Sequence, residues 1–192
     1  MGTTTGPPVL EGGSVRLRAF TVADAPARRA WGWHQQIERG YGSGRPSGPM
    51  SDDEARTWAD DVTSRVSDTF WAVDADGTLV GHAMLNAVDD TDRRARFAVG
   101  LFSPHVTGRG TGTTATRLVL RHAFGPLHLH RVDLRVLAFN EAAIACYHRC
   151  GFVEEGRERE TCQVDGRWQD DLVMGVLDHE FRAADEALPP LT

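Results

Sequence analysis

The sequence contains no lysine, because all 21 of its Lys or Arg positions are arginine. This absence excludes the nucleoside-triphosphate loop that ends in Gly-Lys-Ser/Thr. No stretch approaches the roughly 18 consecutive apolar residues of a membrane span, and the N-terminus lacks the charged and apolar segments of a signal peptide. We therefore expect no membrane partner and, by default, a cytoplasmic location.

Cysteine is scarce, with Cys146, Cys150 and Cys162 as its three positions. An odd number without an export signal argues against a disulfide framework. Cys146 and Cys150 flank His148, but a metal site needs three or four converging ligands, so we expect a buried helix face and no metal. The net charge of −6 argues against a nucleic-acid surface.

The length of 192 residues predicts one domain with a sizeable core. Residues 1–13 are rich in Gly, Thr and Pro, and we expect them to be flexible. A single domain is predicted over 14–181. Residues 182–192 are predicted to be a C-terminal tail, within a polar stretch that begins at 178.

Residues 96–115 combine a strand, a glycine loop and the start of a helix. The strand is indicated by alternating apolar side chains at Phe97, Val99 and Leu101. The loop carries three alternating glycines, Gly108, Gly110 and Gly112, and helical spacing follows from Ala115. Such a loop brings backbone N–H groups close to a ligand at a helix N-terminus, where a phosphate or pyrophosphate binds well.

Two other interpretations of this loop remain open from its residues alone. Residues 110–115 fit a dinucleotide fingerprint in part, but the acid at Asp133 lies inside the next strand pattern instead of at a strand end. The loop could also be a strand-to-helix turn that binds no ligand.

Local signals predict most of the remaining elements. Capping patterns open helices at 21–33 and 51–66, and a third helix at 140–151 begins at an Asn N-cap and ends at a Gly. The dipeptides Asp76-Gly77 and Asp165-Gly166 predict hairpin turns between strands.

Four stretches, taken in order, resemble the Gcn5-related N-acetyltransferase (GNAT) superfamily. Residues 15–24 resemble the opening strand and helix of its RimJ/RimL branch, and residues 107–112 resemble its pyrophosphate motif, Gln/Arg-x-x-Gly-x-Gly/Ala. Residues 140–152 resemble its Asn…Tyr-x-Lys-x-Gly-Phe helix, and residues 166–177 resemble its closing hairpin. Thr107 departs from Gln or Arg, and Arg149 replaces the usual lysine.

The resemblance implies an α/β fold, with a mixed, splayed sheet of six or seven strands flanked by about four helices. Acetyl-CoA would lie in the gap between the strands at 96–102 and 131–137. Its contacts would come from Val99, Gly100, Leu101, Thr107, Gly108, Arg109, Gly110, Thr111, Gly112, Thr113 and Asn140. A homodimer is expected from family habit only.

The implied reaction is acetyl transfer to a primary amine by direct attack in a ternary complex. The acceptor could be a peptide or protein N-terminus, or a small-molecule amine such as a polyamine or an aminoglycoside-like antibiotic. One alternative is a non-catalytic acyl-CoA-binding domain on the same fold. The other is a dinucleotide-dependent oxidoreductase, which is disfavoured because the N-terminal sequence shows no βαβ pattern.

The resemblance assigns Tyr147 as the acid that protonates the leaving thiolate, and Asn140 as an N-cap that also contacts CoA. Spacing alone favours a core tyrosine at position 147, and the match of Asn140 and Gly151-Phe152 to the family helix favours the catalytic role. Candidate general bases are Glu38, His82, Asp89, Glu160 and Asp170, although a water chain would also serve. Four aromatic side chains could line an amine pocket or the core: Trp31, Trp33, His34 and Tyr41.

Overall fold

The computed structural model describes residues 6–65 and 69–191, which form eight strands and six helices. The strands are β1 (Leu10–Gly12), β2 (Val15–Ala19), β3 (Thr69–Ala75), β4 (Thr78–Asp89), β5 (Arg94–Leu101), β6 (Arg131–Leu137), β7 (Val153–Val164) and β8 (Arg167–Leu177). The helices are α1 (Ala25–Trp31), α2 (Gln35–Gly40), α3 (Asp52–Ser64), α4 (Thr111–Phe124), α5 (Glu141–Arg149) and α6 (Asp178–Ala187). None of these helices is long and apolar enough to cross a membrane.

All eight strands belong to one mixed sheet, in the order β1-β2-β3-β4-β5-β6-β8-β7. Neighbouring strands run antiparallel except β5 and β6, which are parallel. Only three residue pairs join β5 to β6, and the last is Arg96 with Asp133, whose side chains also form an ion pair at 2.8 Å. Beyond Arg96, the described part of the chain gives β5 no partner on this side, so the predicted splay is confirmed.

Helices cover both faces of the sheet. The larger core packs α4, α5 and α6 on one face through residues such as Val119, Tyr147 and Phe181. The opposite face is covered by α1 and α3, with Phe20 and Val62 in its core. The sheet is therefore the middle of three layers, and a gap between β5 and β6 is bounded by both outer layers.

The predicted caps and turns are confirmed. Ser51 and Glu54 form a reciprocal capping box at the start of α3, which ends at Ser64; the predicted end at 66 lies outside the described residues. The hairpin residues Asp76-Gly77 and Asp165-Gly166 all have positive φ, as a tight two-residue turn requires.

Both chain ends differ from the prediction. Residues 10–12, expected to be flexible, form β1 and pair with β2, whereas residues 1–5 lie outside the described residues. The stretch predicted to be a tail contains α6, which runs to Ala187. A strand of three residues is too short to show alternation, and α6 depends on contacts with a distant helix.

Arg117 provides the main polar contact between α4 and α6. It is only 5% exposed, and its Nε donates to Asp185 Oδ1 at 2.6 Å while its Nη1 donates to the carbonyl of Pro189 at 2.8 Å. Arg121 Nε donates to the other Asp185 oxygen at 2.7 Å. One carboxylate therefore accepts hydrogen bonds from two guanidinium groups, one of which is buried.

We expect Asp185→Ala to lower the free energy of unfolding by about 3 kcal/mol, because it leaves the buried Arg117 charge unpaired. Asp178→Ala, which removes an exposed i,i+4 pair with Arg182 in the same helix, should cost less than about 1 kcal/mol. Urea unfolding of both variants measures the difference. Equal losses would show that the Arg117 ion pair does not anchor α6.

Candidate active site

A cavity of about 1200 Å³ opens where β5 and β6 separate; we refer to it as the groove. Its sheet walls are residues 98–101 of β5 and 135–137 of β6. Its two ends are formed by the glycine loop before α4 and by residues 35–37 and 39–42 of α2 and its C-terminus. The groove therefore follows the unpaired edge of β5, where backbone groups can accept an added ligand strand.

The glycine loop presents backbone donors at one end of the groove. Gly108 and Gly110 have φ values of +73° and +85°, which side chains rarely adopt. Gly110 is the N-cap of α4 and gives no side-chain cap to the helix, so the first N–H groups are left for a ligand. The loop thus fits the pyrophosphate of a CoA ester.

Within this loop, the predicted contact residues divide between two cavities. Thr107, Gly108, Gly110, Gly112 and Thr113 line the groove. Arg109 and Thr111 instead line a separate cavity of about 140 Å³ behind the loop. The hydroxyl of Thr107 donates to the carbonyl of Pro104 at 2.8 Å, so it holds the loop itself.

Tyr147 lies on α5 and lines the groove. The residue is 6% exposed, and its ring contacts Phe97 and Phe152 edge-on at centroid distances of 6.4 and 5.7 Å. Burial raises the pKa of its hydroxyl above the ordinary tyrosine value, so the group stays protonated at neutral pH. A buried, protonated hydroxyl at a cavity wall can donate a proton.

Asn140 is the N-cap of α5, as predicted, and its Oδ1 accepts from the backbone N–H of Ala143 at 3.3 Å. It also lines the groove, and its Nδ2 lies 3.1 Å from the position of a Cβ at Gly40. Capping and groove lining are thus combined in one side chain, while its contact to CoA stays a prediction.

Cys146 also lines the groove, which the sequence did not indicate. Its Sγ lies 3.3 Å from Thr113 Oγ1, so the thiol joins α5 to the first turn of α4. The neighbouring Cys150 thiol and the Thr113 hydroxyl together lower the pKa of Cys146 below the ordinary thiol value. Among the described residues, no group of three or more possible ligands converges on a metal position.

Tyr41, just after α2, closes the groove from the other face of the sheet. Its hydroxyl lies 1.4 Å from the position that a Cβ on Gly100 would occupy, so only glycine fits there. Its ring stacks on His82, the β4 residue opposite Gly100, at 6.1 Å. Burial of the hydroxyl raises the pKa of Tyr41, although 48% of the residue remains exposed.

Tyr41 is the member of the predicted aromatic set that lines the groove. Trp31 donates its Nε1 to the carbonyl of Leu79 at 2.6 Å and packs in the core. His34 lies edge-on to His105 at 6.2 Å. The sequence left these side chains undecided between pocket and core, and the structure separates them.

Trp33 holds the segment that carries Tyr41. Its ring lies between the guanidinium groups of Arg28 and Arg45, at 4.6 and 3.8 Å from the ring centroid. Its backbone forms a two-way bridge with Gly48, at 2.8 and 3.0 Å. This bridge closes the loop that contains α2, so the position of Tyr41 is fixed from the loop's base.

None of the five candidate bases lines the groove in the described part of the chain: Glu38, His82, Asp89, Glu160 and Asp170. Asp170 accepts from Arg157 Nη1 at 3.2 Å and from the Glu160 N–H at 3.0 Å. His82 lies beneath the Tyr41 ring, where burial lowers its pKa to about 4 and keeps it neutral.

Comparison with known proteins agrees with this geometry. The family model described as an acetyltransferase (GNAT) domain matches residues 14–153. The chain belongs to the GNAT acetyltransferase family. A GNAT relative, spermidine N(1)-acetyltransferase of Vibrio cholerae serotype O1, is 33% identical over 112 residues, which cover 58% of this chain. The Escherichia coli K12 protein of that name is 30% identical over 117 residues, or 61% of the chain.

These two matches span only 64% and 62% of the relatives' own lengths. Among solved GNAT structures, the V. cholerae spermidine N-acetyltransferase in complex with CoA and spermine has a TM-score of 0.73 at 27% identity, covering 88% of this chain and 98% of that one. A Brucella melitensis GNAT structure has a TM-score of 0.81 at 22% identity, with coverage of 96% and 85%, and supports the fold.

We expect Gly110→Ala to weaken acetyl-CoA binding about tenfold, because a side chain at φ +85° turns the loop donors away from the phosphate position. Gly77→Ala is the matched control, with φ +75° in the β3–β4 hairpin. Both variants should lose about 1 kcal/mol of stability. Titration of each with acetyl-CoA measures the difference, and unchanged affinity in Gly110→Ala would remove the loop from the binding site.

Proposed function

We propose that this protein is an acetyl-CoA-dependent N-acetyltransferase that acts on a primary amine. The observation that carries the proposal is the groove itself, which leads from a phosphate-type glycine loop along an unpaired strand edge to two tyrosines. The resemblance of 15–24 to the RimJ/RimL branch supports placing the chain in that branch.

In this proposal, acyl-CoA is held by backbone groups over most of its length. The loop at Gly108–Gly112 binds the pyrophosphate, and the free edge of β5 at Val99–Leu101 pairs with the pantetheine arm as an added strand would. A groove of about 1200 Å³ is large enough for a cosubstrate together with an acceptor.

The chemistry is attack of a neutral amine on the thioester carbonyl. Holding both reactants in one groove supplies several kcal/mol of the barrier. A backbone N–H of 99–101 stabilises the developing oxyanion, and Tyr147 donates its proton to the thiolate that leaves as the C–S bond breaks. The proton that the amine nitrogen loses when the amide forms passes through water and restores the Tyr147 hydroxyl. The raised pKa of Tyr147 keeps its hydroxyl protonated at neutral pH, so the proton is present when the thiolate forms.

The acceptor side is proposed to be the face closed by α2, because Tyr41 reaches the β5 backbone there at Gly100. Because two relatives are named spermidine N-acetyltransferases, we include polyamines among the acceptors to be tested. Peptide N-termini and aminoglycosides are the other acceptors to be tested, since all of these compounds present primary amines.

Thermal shift and thiol release test this proposal together. Acetyl-CoA and CoA should each raise the unfolding midpoint in a concentration-dependent way, and free thiol should appear when an amine is added. Stabilisation without transfer to any amine would favour the non-catalytic acyl-CoA-binding domain. Stabilisation by NAD(P) alone would contradict the proposal and favour the interpretation of the loop as a dinucleotide-binding fingerprint.

Tyr147→Phe should lower kcat about 100-fold, because it removes the acid and leaves the ring packing on Phe97 and Phe152 intact. The KM for acetyl-CoA should change less than about threefold. Because the pKa of Tyr147 is raised, ionisation of this group should not lower wild-type kcat between about pH 7 and 9. Steady-state kinetics across pH measure both effects, and a variant with wild-type kcat would leave Tyr147 a core residue.

A further inference from the structure

Charged side chains on the acceptor side of the groove are mostly paired. Arg39, in α2, forms an ion pair with Asp165 in the β7–β8 turn at 3.0 Å. Arg135, on β6, forms one with Glu158 on β7 at 2.7 Å. Asp171 lines the same groove, and among the described residues its carboxylate has no ion pair or side-chain hydrogen bond.

The strand register places Asp171 on the acceptor face. In β8, Asp171 lies opposite Leu137 of β6 and Glu158 of β7. The next residue, Leu172, is 4% exposed and packs in the core beneath α4 and α5. Because side chains alternate along a strand, Asp171 points to the opposite face, where α2 and Tyr41 lie.

The charge balance of this face is therefore negative. The pairs Arg39–Asp165 and Arg135–Glu158 are neutral, which leaves the half-buried Asp171 carboxylate uncompensated. The groove's two other charged lining residues, Glu141 and Arg149, belong to α5 on the other face and are exposed to solvent. A partly desolvated carboxylate is stabilised most by a charge-assisted hydrogen bond from a cation.

We propose that Asp171 binds a second, non-reacting ammonium group of the acceptor. The acceptor class is then a diamine or polyamine, in which one amine is acetylated near Tyr147 while another positive charge is held by Asp171. This inference rests on the proposed amine acetyltransferase function and narrows its acceptor. A monoamine would use the same reaction centre without this contact.

The test compares linear diamines with monoamines of matched length on Asp171→Asn, which keeps the shape of the side chain and removes its charge. For the best diamine, kcat/KM should fall at least about tenfold, as expected for loss of a charged hydrogen bond. For the matched monoamine and for acetyl-CoA, the change should stay within about twofold. Asp178→Asn, in α6, controls for loss of one negative charge.

Three results would overturn the inference: a wild type that does not prefer the diamine, equal losses for diamine and monoamine, or no loss for either. Calorimetric titration of the CoA-loaded protein with the diamine separates this inference from the proposed function. Diamine binding that Asp171→Asn weakens, in a protein that transfers no acetyl group, would support Asp171 and refute the transferase. Acetyl transfer to monoamines, together with diamine binding that Asp171→Asn leaves unchanged, would support the transferase and refute the role of Asp171.

Discussion

The separation of β5 from β6 after three paired residues is the constraint on which the groove depends. A strand edge inside a sheet cannot leave its N–H and C=O groups unsatisfied without cost. Here the edge faces a cavity, and the glycine loop that follows β5 turns its own donors toward the same cavity. The ion pair between Arg96 and Asp133 marks the point where the strands part.

A second consequence of the separation is that elements from both faces of the sheet meet in one space. The chain has two tyrosines, and both line the groove, Tyr147 from α5 and Tyr41 from the segment after α2. The α2 segment also contacts the β7–β8 hairpin through Arg39 and Asp165. This face of the groove is therefore bounded by one loop, which is closed at its base by the Trp33–Gly48 bridge and held to the β7–β8 turn by the Arg39–Asp165 ion pair.

The sequence predicted the elements whose formation depends on neighbouring residues. The glycine loop, the Asn140 cap and the two hairpins depend on residues within a few positions of one another, so their patterns are visible in the chain. The mixed sheet and its splay followed from the family resemblance more than from any single pattern, and the resemblance implied six or seven strands where the structure has eight. The strand β1 was missed because three residues are too few to show alternation, although its partner β2 follows directly in the chain. The helix α6 was missed because its main polar contact is with Arg117, 68 positions away.

The candidate site shows the same division. Tyr147 could be named because it has a fixed place in a short helix motif. Nothing local indicates that Tyr41 meets Gly100, which lies almost sixty positions away, or that Cys146 reaches Thr113. Asp170 was one of five candidate bases and does not line the groove, whereas its neighbour Asp171 does, because the strand register decides which side chain faces the cavity.

The contact between Tyr41 and Gly100 also limits how this sequence can diverge. The tyrosine hydroxyl fills the volume that any side chain at position 100 would need, and a Cβ added at Gly81 beside it would clash with the carbonyl of Gly100. A larger residue at 100 is compatible only with a smaller or displaced residue at 41. A side chain at position 100 therefore requires a change at position 41, so the aromatic ring of a distant loop determines which residue the sheet can hold there.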